Sequence, residues 1–312
     1  MMIDDNKNNS NTHPIQAIEK ESNTKNEWET IDNNEKTLRE LEFSGFIYHE
    51  QLYSILKKSQ HTLEHLHYSF VNAKQLQYTI EQKPLLHFPH LKSIELATLD
   101  HLTDNPTWIY KSLFDMHQQQ LEHLYLDFKT LDESDSILQK VIKNMIEAIS
   151  ELKKLQYLFL EFQNQCTVYC DNLDLLSSNN TELRYVTFID IPISDQGLLE
   201  LSKLPQLCMV ELRGYNVHRR LTEEGFIAFA NKLKELNSPL ESLDMNCDHT
   251  SAVTDTVLKH LSQVKSLKTL RISTNHGITN EGVNLYFGAQ KRRIELGCCN
   301  LVSRNNPNVL FI

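Results

Sequence analysis

Residues 121–126 read Leu-Glu-His-Leu-Tyr-Leu and residues 155–160 read Leu-Gln-Tyr-Leu-Phe-Leu. In both, apolar residues occupy the first, fourth and sixth positions. The last three positions alternate apolar and outward, the period of a strand with one buried face. The same L-x-x-L-x-L pattern recurs along the chain. It opens with Leu38, Leu41 and Phe43, then Leu63, Leu66 and Tyr68, then Leu91, Ile94 and Leu96. After the two copies quoted come Leu183, Val186 and Phe188, then Leu207, Val210 and Leu212. Leu240, Leu243 and Met245 follow, then Leu267, Leu270 and Ile272. A tenth copy keeps Ile294 and Leu296 but has Lys291 in the first slot. Subtracting successive first positions gives spacings of 25, 28, 30, 34, 28, 24, 33, 27 and 24 residues. One such motif arises by chance; a series at a steady period marks a repeat architecture.

Between the motifs the apolar period changes from 2 to about 3.6. Residues 134–152 line up Ile137, Leu138, Val141, Ile142, Met145, Ile149 and Leu152 on one side of a helix. Shorter helices are expected over 106–117, 195–203, 223–236, 255–263 and 281–289. Ser194-Asp195, Thr222-Glu223, Thr254-Asp255 and Thr279-Asn280 supply N-terminal caps. A strand alternating with a helix at this period gives an α/β fold with parallel strands stacked on one side and helices on the other. Helices are wider than the strand spacing of about 4.8 Å, so the stack curves with its strands on the concave face. The expectation is a right-handed solenoid of about ten repeats over residues 37–312. Residues 1–36 differ, with eight Asn, eight acidic and four basic residues among scattered apolar ones. That composition predicts a mostly disordered tail.

Composition narrows the function. The chain has 312 residues, 40% of them hydrophobic, and a formal net charge of −10, which argues against nucleic-acid and anionic-membrane partners. No apolar run approaches the roughly 18–20 residues that span a bilayer. The N-terminal sequence has no cationic segment followed by an apolar stretch, so the expected location is the cytoplasm or nucleus. In that setting the six cysteines read as free thiols, and neither Cys166/Cys170 nor Cys298/Cys299 has companions at metal-ligand spacing. His65, His67 and His123 read either as a ligand set or as polar positions on strands. No GxSxG, HExxH, GxxxxGK[ST] or GxGxxG sequence occurs. No catalytic residue, cofactor or metal is expected.

The chain resembles the leucine-rich repeat proteins, and more narrowly the cysteine-containing subfamily found in F-box/LRR proteins. The residues that carry the likeness follow the strands: IPISDQGLLEL (191–201), RLTEEGFIAFA (220–230), AVTDTVLKHL (252–261) and GITNEGVNLYF (277–287). The subfamily places Cys or Asn three residues after the last strand apolar, and Asn275 and Cys299 fill that slot. The other eight repeats hold Phe46, Val71, Leu99, Lys129, Gln163, Ile191, Tyr215 and Asp248 there. Residues 1–37 contain none of the Leu-Pro-led helical sequence of an F-box. The resemblance implies substrate capture for a cullin-RING (SCF-type) ubiquitin ligase, with a cullin-ligase adaptor as a further partner. The other reading is a stand-alone scaffold or inhibitor.

In such strands the residues between the apolar positions form columns on the concave face, one rung per repeat. The column between the second and third apolar positions runs Glu42, His67, Glu95, Tyr125, Phe159, Thr187, Glu211, Asp244, Arg271, Glu295. The column one step earlier includes His123, Tyr157, Tyr185 and Arg293. Tyr125, Tyr157, Phe159 and Tyr185 thus form an aromatic patch at the centre of the face, the residue types that dominate binding hot spots. Glu211, Arg213, Asp244, Arg271, Arg293 and Glu295 form a mixed-charge stretch beyond it. Together they suit a protein or peptide ligand with an apolar anchor and a flanking polar segment. Either group also reads as structure alone, as β-favourable rings or a face laced with mutual ion pairs. The 134–152 helix is a second contact site or simply a longer helix. Lys291-Arg292-Arg293 is too short for a nucleic-acid patch. Arg213 and Arg271 are the candidates for an arginine finger, should the chain activate an enzyme. Trp28 and Ile31 are expected to cap the Leu41/Phe43 end, and Val309–Ile312 to add a truncated eleventh strand after the Asn-Asn-Pro-Asn turn at 305–308.

Overall fold

A computed structural model describes residues 38–44, 49–69, 88–99, 120–128, 135–162, 169–214, 221–246, 252–275, 277–287, 292–299, 302, 307 and 309–311. Each motif forms a strand: β1 (Glu40–Ser44), β2 (His65–Ser69), β3 (Ser93–Leu99), β4 (His123–Phe128), β5 (Tyr157–Phe162), β6 (Tyr185–Ile189), β7 (Met209–Arg213), β8 (Ser242–Asn246), β9 (Thr269–Asn275) and β10 (Arg293–Cys299). The expected extra strand is β11 (Val309–Phe311), parallel to β10 with Ile294 opposite Val309. All eleven form one sheet in strict chain order, every neighbouring pair parallel, and the order does not close on itself. This is the leucine-rich-repeat solenoid that the motif spacing predicts.

Register is constant because each repeat repeats the same bonds. The carbonyl of Gln156 accepts from both Arg184 N–H and Tyr185 N–H, at 2.9 and 3.0 Å, and that of Arg184 accepts from Cys208 and Met209 in the same way. Motif residues therefore face their counterparts: Leu124 opposite Leu158, and Tyr125 opposite Phe159. One irregularity interrupts this, between Leu96 and Leu99 of β3.

Among the described residues seven helices alternate with the strands: α1 (His49–Ser59), α2 (Asp135–Ser150), α3 (Asp174–Asn179), α4 (Asp195–Leu201), α5 (Glu223–Glu235), α6 (Asp255–Leu261) and α7 (Asn280–Phe287). Consecutive helices from α2 to α7 touch. The long helix α2 buries Leu138, Val141, Ile142, Met145, Ile146 and Ile149 at helical spacing and turns Lys143 and Glu147 outward. Its length thus serves the core. Helices α1 and α3 escape the periodicity reading, α3 because six residues are too few to display a period. The expected helix over 106–117 and the Trp28/Ile31 cap lie outside the described residues.

All four expected caps form. Ser194 accepts from Gly197 N–H at 3.3 Å, Thr222 from Gly225 at 3.0 Å, Thr254 from Val257 at 3.4 Å and Thr279 from Gly282 at 3.4 Å. Each of three caps is also tied to the preceding helix. Asp195 Oδ1 and Oδ2 accept from the N–H and hydroxyl of Thr222, and Asp255 does the same for Thr279. Glu223 accepts one bond, from the Thr254 hydroxyl at 2.9 Å.

At and just beyond the C-terminal ends of helices, buried polar side chains donate to backbone carbonyls. Asn180 Nδ2 donates to Ile149 and Leu152 carbonyls at 3.2 and 2.8 Å. In the tenth repeat, where Lys291 replaces the usual leucine, Arg292 is only 9% exposed. It donates to the Tyr286 and Val264 carbonyls at 3.1 and 3.0 Å and lies over the Tyr286 ring at 5.0 Å. Arg292 is thus a packing residue.

Candidate protein-binding face

Constant register turns the sequence columns into ladders in space. Two ladders of rings run across the sheet, one over β4 and β5 and the other over β4, β5 and β6. Tyr125 and Phe159 stack with centroids 4.1 Å apart and planes 12° from parallel. One column over, His123, Tyr157 and Tyr185 stack at 4.2 and 4.3 Å, with interplanar angles of 9° and 3°. These separations fit the strand spacing, so the stacking follows directly from placing rings in register on parallel strands. Within each stack the rings lie face to face, and their edges point outward. Tyr157 is 37% exposed, the most open of the large apolar residues on this part of the sheet. The four aromatic residues singled out in the sequence are brought together. They enlist His123, whose burial lowers its pKa.

A third column, one step after the last motif apolar, adds acids beside the rings. Asp127 is buried and lies in register with Glu161 on the next strand. Burial and the negative charges of Asp127 and Asp190 hold Glu161 above the usual glutamate range. Burial, together with Glu161, Asp127 and Glu95, pushes the Tyr125 hydroxyl up to about 12. These acids were missed in the sequence because of their position. They stand one step beyond the last motif apolar, outside the two columns that flank the second one.

The mixed-charge stretch is brought together as a network. Arg271 Nε donates to Glu295 at 2.6 Å and its Nη1 to Asp244 at 2.8 Å. Arg293 pairs with Glu295 at 2.7 Å, and Arg213 pairs with Glu211 and lies 3.6 Å from Asp244. Glu211 also accepts from the Thr187 hydroxyl at 3.0 Å. Asp244 and Glu295 are 3% and 2% exposed, so their charges depend on these arginines. At the other end of the sheet His67 pairs with Glu95 at 2.8 Å. Among the described residues no group of three or more His, Cys, Asp or Glu could hold a metal ion. No helix among them is long and apolar enough to cross a membrane.

The fold and its ring-bearing face define a leucine-rich-repeat solenoid. A solved structure of an internalin (inlF) from Listeria monocytogenes strain 4b F2365 is similar, with a TM-score of 0.44 and 15% identity over 83% of this chain and 69% of that one. No protein-family model and no curated protein matches the chain.

Proposed function

We propose that the protein is a non-catalytic recognition module that binds a protein or peptide on the concave face of its 37–312 solenoid, in the cytoplasm or nucleus. The observation that carries this reading is the pair of aromatic stacks at the centre of the face. Rings locked edge-outward by their neighbours form a rigid apolar surface, which lowers the ordering cost of binding. Tyr125, Tyr157, Phe159 and Tyr185 are the anchor; Glu211, Arg213, Asp244, Arg271 and Arg293 are the polar flank. The resemblance in the segments after the strands favours substrate recognition for an SCF-type ubiquitin ligase, with the cullin-ligase adaptor as second partner. A stand-alone scaffold or inhibitor is the alternative.

Affinity purification of the wild type beside a Tyr125→Ala/Phe159→Ala double variant tests the reading. Cullin and adaptor peptides recovered with both baits, and one partner lost only with the variant, support the ligase assignment. Loss of a partner without ligase subunits supports the scaffold. A variant that retains every partner overturns the assignment of this face.

A further inference from the structure

The two halves of the face balance their carboxylates differently. Across β7–β10, Glu211, Asp244 and Glu295 are bonded to Arg213, Arg271 and Arg293, three acids against three arginines. Across β3–β6 the three columns hold Glu95, Asp127 and Glu161 and no lysine or arginine. The charged groups that act on Glu161 are Asp127 and Asp190, both negative. Asp127 and Glu161 oppose each other in register, a like-charge arrangement that destabilises a sheet. Beside them, Phe159 uses one ring face against Tyr125. Its other face is turned along the column toward β6, where the rung is the small residue Thr187. An open ring face next to half-buried carboxylates favours a cation, through the ring quadrupole and charge-assisted hydrogen bonds.

Resting on the reading of this face as a protein-binding surface, we infer that its β3–β6 half takes a basic segment of a protein partner, an arginine or lysine side chain lying over Thr187 against Phe159 and bonding to Glu161. Glu161 stands two residues along the same strand from Phe159, on the same side of the sheet. The neighbouring Glu211 is already engaged by Arg213 and Thr187, so Glu161 is the carboxylate left to receive the cation. A neutral or acidic segment would bury the Glu161 carboxylate without bringing a cation to it.

The probe is a phage-displayed library of random dodecapeptides, selected on the full chain and followed by fluorescence anisotropy of the recovered peptides. The inference expects arginine or lysine beside an apolar residue in the recovered peptides. It expects affinity to fall about tenfold or more with Glu161→Gln and with rising salt. Glu147→Gln on the helical side, the same change in net charge, should leave affinity unchanged; an equal loss there overturns the inference in favour of bulk charge attraction. Peptides that lose binding with Tyr125→Ala/Phe159→Ala but carry no basic residue overturn the inference and leave the face intact. Peptides indifferent to that double variant, or a selection that recovers none, overturn the face and the inference together. Circular dichroism of each variant separates lost contacts from lost fold.

Discussion

Both carboxylate oxygens of Asp255 are used by Thr279, one repeat further on: Oδ1 accepts the backbone N–H at 2.8 Å and Oδ2 the hydroxyl at 2.6 Å. The same carboxylate sits against the Cα of Gly282, where a Cβ would overlap it. Asp195 stands in the same relation to Thr222 and Gly225. Where the acid is Glu223, the residue in the glycine position is Val257 and only the Thr254 hydroxyl is reached. Aspartate and glycine therefore work as a pair drawn from successive helices.

Gly282→Ala is expected to lose about 1–3 kcal/mol through this overlap. Asp255→Ala is expected to lose about 1–2 kcal/mol as a lost cap. The double variant should lose clearly less than the sum, because removing the carboxylate makes room for the methyl. Urea unfolding of the four proteins measures the coupling, and strict additivity would sink the pairing.

Arg271 bridges Asp244 and Glu295, which have almost no other access to solvent. Arg271→Ala should lose about 1.5–3 kcal/mol by removing its charged hydrogen bonds to two buried carboxylates, leaving Asp244 only Arg213 at 3.6 Å and Glu295 only the exposed Arg293. Arg293, 61% exposed along its side chain, should lose no more than about 1 kcal/mol on the same change. Equal losses at both positions would refute the network as described.

Glu161 holds its proton more tightly in the folded chain than in the unfolded one. Its contribution is therefore fully present in acid, below the ordinary glutamate value, and is lost as pH rises through the raised folded value. At neutral pH the charged carboxylate opposes Asp127, so Glu161→Gln should stabilise the protein by about 0.2–1 kcal/mol. The difference should vanish on acidification to about pH 4. Thermal melts of both proteins across that range check it; a variant less stable than wild type at pH 7 contradicts it. A binding residue that weakens its own fold is a trade-off expected of functional sites.

Arg292→Lys should lose about 1–3 kcal/mol although the charge is kept. One ammonium lacks the planar fork that reaches the Val264 and Tyr286 carbonyls together while lying over the Tyr286 ring. Chemical denaturation decides this, and an unchanged midpoint would show that charge alone suffices.

Strand positions, register and the aromatic columns were legible in the sequence because a single period governs them. Once Leu124 pairs with Leu158, the stacking of Tyr125 on Phe159 is a geometric consequence. The caps at Ser194, Thr222, Thr254 and Thr279 were legible for a local reason, since residue and bond lie within three positions. What escaped depends on residues far apart in sequence. Asp127 and Glu161 acquire their meaning only as neighbours across strands. Arg292, adjacent to two other cations, resembles part of a surface patch until its partners at 264 and 286 are known. Helix α3 was hidden by its brevity.

The alternation of Asp195–Gly225, Glu223–Val257 and Asp255–Gly282 bears on how such a chain can gain or lose units in evolution. Excising the unit that carries Glu223 would set Asp195 against Val257, a carboxylate against a side chain where glycine is required. Duplicating it would place a second Glu223 before a glycine, leaving a gap and a single bond. Neither event is silent without a compensating change on the far side of the junction. The units look alike in their leucines, yet each is keyed to the one that follows.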